Sequence, residues 1–154
     1  MRKRVAAWVL IGLILLWVCA FLVIKSIHDS TTADMVAVAD RLKVPETWPM
    51  VSEVVESEKL ICLNANPCPS MSRTWQAETE LEVDDLHELA LSAGWILEIE
   101  GDCLRQAGDI GTRSVCSGTV EDRGYEIQLR VDSPEAGAAS RLWIHLEEQE
   151  PPET

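Results

Sequence analysis

Residues 5–24 carry no charge, and this run constrains the chain more than any other feature because it decides which medium the rest must fold in. It starts behind Arg2, Lys3 and Arg4 and is closed by Lys25. At about 1.5 Å of rise per residue, a helix of this length covers about 30 Å, the thickness of a bilayer's hydrocarbon core. The run reads as one transmembrane helix. A cleaved secretory signal shares the basic start, but its apolar region is only about 7 to 15 residues long. Here Phe21, Leu22, Val23 and Ile24 follow Val18 and Ala20 with no polar break. Cys19 comes after the bulky Trp17 and Val18, so it reads as an apolar residue facing lipid or a neighbouring helix rather than a lipidation site. Gly12, Cys19 and Ala20 lie near one stripe where helices could approach closely.

Lys and Arg near the ends of a spanning segment stay on the cytoplasmic side. Three precede the run, and Lys25 alone follows within fifteen positions. The expected topology is therefore a cytoplasmic basic tip at 1–4, a membrane helix at 5–24 and an extracytoplasmic remainder. All 26 acidic residues lie in residues 26–154, against nine basic ones, for a formal charge of −17. Such a field repels nucleic acid and anionic headgroups and favours cationic partners, besides keeping the domain soluble. The preference for Arg, Ala, Asp and Glu hints at a GC-rich bacterial genome and hence at a cell envelope.

After the anchor, residues 26–33 read as a polar hinge. Met35, Val38, Ala39 and Leu42 recur at helical spacing, which predicts a short helix over 33–43, stopped near Val44 by Pro45. Residues 44–148 then read as one domain. Met50 to Lys59 is ambiguous and leans to an extended strand through its valines. Leu60 to Leu63 reads as a short strand, followed by a tight loop with Asn64, Asn66, Pro67 and Pro69, and 72–79 as another strand. Val83, Leu86, Leu89, Ala90 and Ala93 make an apolar helical stripe, with Asp84 and Asp85 in the first turn and Gly94 as the stop. Strands are expected at 95–103, 113–120, 125–132 and 141–147. The segment 125–132 alternates cleanly, with Tyr125, Ile127, Leu129 and Val131 inward. An acidic tail at 149–154 closes the chain. Several strands joined by short turns, with one packed helix, imply an α+β fold on an antiparallel sheet.

Four cysteines lie outside the anchor: Cys62, Cys68, Cys103 and Cys116. An even number in an exported domain points to two structural disulfides, for which three connectivities exist. Local pairing, Cys62 with Cys68 and Cys103 with Cys116, is the most economical. Neither spacing matches a Cys-x-x-Cys dithiol or a four-cysteine zinc site. His28, His87 and His145 are the only histidines; Asp84 and His87 form a helical i, i+3 pair that would need a third ligand. Glu98, Glu100 and Asp102 form a comb of carboxylates on one strand face, at the separation some glycosidases use.

Trp48, Trp75, Trp95 and Trp143 stand out in a domain with a single Tyr125. Trp75 and Trp95 share faces with apolar neighbours and are expected in the core. Trp143 shares the opposite strand face with His145, away from Leu142, Ile144 and Leu146. It is therefore covered by the 44–59 segment, presented as a contact surface or left as an isolated exposed ring. These features lead to a non-enzymatic, single-pass anchored ectodomain with no cofactor, acting as an interaction or accessory subunit for another envelope protein. A ligand- or metal-binding ectodomain is the alternative, and a tethered thiol oxidoreductase a more distant one.

Overall fold

The computed structural model of the chain describes residues 2–57, 69–106 and 108–149; for residues 2–11 and 24–29 it describes the backbone only. The expected Cys62–Cys68 pair, the strand at 60–63 and most of the tail at 149–154 lie outside the described residues.

Helix α1 (Arg2–Ala39) is continuous. The polar stretch 26–33, expected as a hinge, is helical, and the expected short helix at 33–43 is the last part of α1. The physical reason is that 26–33 contains neither Gly nor Pro. Ser, Thr, His and Asp cost only about 0.5 kcal/mol each relative to Ala, and elongating a helix is far easier than nucleating one. α1 also ends earlier than expected. Arg41 and Leu42 close tighter turns onto the Val38 and Ala39 carbonyls, and Leu42 enters the core. Among the described residues no helix is long and apolar enough to cross a membrane.

Six strands follow: β1 (Met50–Glu56), β2 (Ser70–Gln76), then after α2 (Val83–Ser92) β3 (Glu98–Gly101), β4 (Arg113–Asp122), β5 (Tyr125–Ser133) and β6 (Arg141–Glu148). They form one sheet in the order β1-β2-β6-β5-β4-β3, antiparallel at every junction. The α+β architecture is thus observed, with two helical pieces on the sheet rather than one. β4 and β5 turn at Arg123 and Gly124, both with positive φ (55° and 83°). That is the geometry of a two-residue hairpin whose twist matches its strands.

The alternation read from β5 and β6 places Ile127, Leu129, Val131, Leu142, Ile144 and Leu146 on one inner face, all fully buried. Met35, Val38 and Ala39 from α1 and Leu86, Leu89 and Ala90 from α2 belong to the same cluster, as do Trp75 and Trp95. The Asp85 carboxylate accepts the Glu82 N–H at 2.8 Å and starts α2. β3 is shorter than the expected 95–103. Trp95 and Leu97 are buried before the ladder begins, and the strand stops at Gly101, whose φ of +94° and contact with the Val115 carbonyl leave no room for a Cβ. Just beyond it, Cys103 is disulfide-bonded to Cys116.

Candidate functional site

Charged side chains at the end of α1 fasten that helix to the sheet. Arg73, at the core-facing side of β2, is only 8% exposed and holds Glu53 of β1 at 2.6 Å and Asp40 at 2.5 Å. Burial alone would lower its pKa, but the hydrogen bonds and charges of those two carboxylates outweigh this and raise it. Arg41 donates to Asp122, which also accepts the Trp95 indole N–H at 3.0 Å. The Trp95 hydrogen bond, with the Arg41 charge behind it, holds the Asp122 carboxyl below the usual range despite its partial burial. Tyr125 donates its hydroxyl to Asp34 at 3.2 Å. Its pKa is raised by burial first and then by that carboxylate. These contacts engage Arg41, Arg73, Asp34, Asp40, Glu53 and Asp122 in holding the helix to the sheet.

The outer face of the sheet differs, and Trp143 and His145 lie at its centre. Cross-strand register joins two adjacent rows that traverse all six strands. One runs Glu98, Thr119, Gln128, His145, Ser72, Val54; the other runs Glu100, Ser117, Arg130, Trp143, Thr74, Ser52. The Trp143 and His145 rings stack with centroids 5.1 Å apart and planes within 6°. The Arg130 guanidinium sits 4.2 Å from the Trp143 ring centre, a cation–π contact. Asp132 steadies Arg130 from 3.0 Å, and Glu147 lies 3.4 Å from His145 Nε2. Arg130 Nε and His145 Nδ1 are buried with no hydrogen-bond partner. Arg130 Nε is close enough to Asp132 for attraction but not aligned for a hydrogen bond.

The described part of the 44–59 segment, residues 44–57, does not cover Trp143, contrary to one of the expected arrangements. Its strand β1 joins the sheet in plane beside β2, while Trp48 packs against the inner cluster. Trp143 is half-buried under its own neighbours instead.

Next to the stack, Glu98, Glu100, Ser117, Thr119 and Gln128 line a shallow trough of about 280 Å³. The carboxylate comb expected from the sequence is cut there. Asp102 lies beyond the end of β3, accepts the Leu104 N–H at 3.1 Å and faces a different depression. A third cross-strand row places Glu121, Glu126 and Glu147 side by side, which is repulsive unless a cation comes near.

His87 and Asp84 are exposed on α2, and among the described residues no three His, Cys, Asp or Glu side chains gather in a metal-binding group. Cys103 and Cys116 are 0% and 4% exposed, so this disulfide lacks the access that thiol exchange requires. Reading strands singly missed Arg130 as part of the site. Its outward side was legible from the alternation, but its position opposite Trp143 depends on β5–β6 register. The chain matches no family model, no curated protein and no solved structure.

Proposed function

We propose that this protein is a single-pass, membrane-anchored, non-enzymatic accessory subunit whose sheet face docks a basic surface of another envelope protein. The observation that carries this reading is the contrast in cover. α1 and α2 fill the inner face, whereas no described element lies over the rows containing Trp143, His145 and Arg130. Half-exposed Trp and Arg at the centre of a flat polar face are the residue types that concentrate binding energy. The adjacent glutamate row and the formal charge of −13 favour a cationic partner.

The anchor rests on the charge-free run and its basic flank. It is further supported by the exposure of every described side chain from Gly12 to Val23, with Trp17 75% exposed. An apolar surface of this extent requires a cover, and lipid supplies one. The N-terminus is then cytoplasmic and the sheet domain extracytoplasmic.

Crosslinking followed by affinity capture of the full chain in mild detergent tests the docking. Capture of one stoichiometric partner by the natural chain, reduced about tenfold or more by Trp143→Ala, is the expected result. A chain that is always recovered alone refutes the docking role. Protease added to intact spheroplasts tests the topology: digestion of the domain is expected, and protection refutes the orientation.

A further inference from the structure

Between the α1–β1 connection and α2 lies a cavity of about 280 Å³, lined by Lys43 and Trp48 on one side and by Asp85, Glu88 and Leu89 of α2 on the other, with Leu81 between them. Its volume is close to the lower end of the roughly 300 to 1,000 Å³ usual for small-molecule sites. Leu81 and Leu89 are buried, and Trp48 is half-buried against the core, so one wall is apolar and fixed. The polar groups are used unequally by the fold. One Asp85 oxygen accepts the Glu82 N–H, and Ser92 bridges the Lys43 backbone N–H and the Leu89 carbonyl. Among the described residues no hydrogen bond or ion pair engages the Lys43 ammonium or the Glu88 carboxylate, and both residues, though exposed, line the same cavity.

Two unpaired charges of opposite sign on residues that line one partly apolar cavity narrow the choice of ligand. A simple cation meets Lys43, and a simple anion meets two carboxylates set one helical turn apart. A zwitterion satisfies both ends through charge-assisted hydrogen bonds. The geometry points to a binding site for a free α-amino acid with an apolar side chain. Its carboxylate lies at Lys43, its ammonium at Glu88 and the remaining Asp85 oxygen, and its side chain against Trp48. This site shares no residue with the rows of Trp143, His145 and Arg130 and stands or falls independently of the docking face.

Isothermal titration of the full chain in detergent micelles provides the test, with leucine as probe. Isoamylamine, which lacks the carboxylate, and 4-methylpentanoate, which lacks the ammonium, serve as comparisons. Saturable one-to-one binding of leucine is expected, with each comparison compound about tenfold or more weaker. Lys43→Met and Glu88→Gln each weaken leucine by a similar factor, while Asp84→Asn, on the same helix but outside the cavity, leaves it unchanged. All three positions are exposed, and near-UV circular dichroism verifies that the variants remain folded. The proposal is overturned if leucine gives no saturable heat, if isoamylamine binds as well as leucine, or if both cavity variants bind like the natural chain.

Discussion

The two faces of the sheet are built from the same strands yet follow different rules. On the inner face, Ile127, Leu129, Ile144 and Leu146 have no exposure and are covered by α1 and α2. On the outer face, alternate residues of those strands are polar or aromatic and half-buried, and they lean on one another. The inner face converts apolar area into stability. The outer face instead holds a charged and aromatic arrangement whose side chains are only half-buried.

Substitutions can break this comparison, and the largest effect is expected inside. Leu129→Ala removes fully buried atoms, and urea denaturation should register a loss of about 2–5 kcal/mol. Should Trp143→Ala lose as much, the outer face would be a second core, and the contrast would fail. Removing the Cys103–Cys116 bridge by a double Ser substitution should lose about 3 kcal/mol, since the bridge closes a 13-residue separation. Differential scanning calorimetry with and without reductant would check it.

Arg73→Ala is expected to cost less, about 1–3 kcal/mol, because Asp40 and Glu53 are exposed enough for water to replace the guanidinium. A loss below about 0.5 kcal/mol in the same denaturation assay would show that α1 is not held by this cluster. Asp122 supplies a pH-dependent component. Its folded pKa is lowered, so its contribution is complete above the ordinary Asp value of 3.8 and is lost as pH falls from there through the folded value. Asp122→Asn should flatten the stability profile in that acidic window, and an unchanged slope would discount the Trp95–Asp122–Arg41 contact. The smallest stability effect belongs to the outer face. Arg130→Gln should cost about 0.5–1 kcal/mol through the lost ring contact, while reducing partner capture far more than stability. Equal losses in both assays would erase the distinction between the faces.

Much of this organisation is legible in the sequence alone. The alternation from Tyr125 to Asp132 placed the inner residues of β5 correctly, and the stripe from Val83 to Ala93 located α2 to within a residue. Both signals are local, because periodicity depends only on neighbours along the chain. The separation of Trp143 from Leu142, Ile144 and Leu146 was equally visible. What covered Trp143 was not, since the answer required knowing that β1 pairs in plane with β2. Arg73 illustrates the same limit. Alternation puts Arg73 on the face of Trp75, and only the convergence of Asp40 and Glu53 from two other elements makes its burial there tolerable.

The linear order of residues settled which segments alternate, where α2 begins and stops, and that an uncharged run of bilayer length precedes an acidic domain. Tertiary structure decided that β2 lies against β6, that α1 continues through its polar stretch onto the sheet, and which charges remain unpaired. The physical reason lies in range. Backbone propensity and side-chain period act over a few residues, whereas β2–β6 pairing and the Arg73 cluster close long loops whose entropy is offset only when several distant elements meet at once.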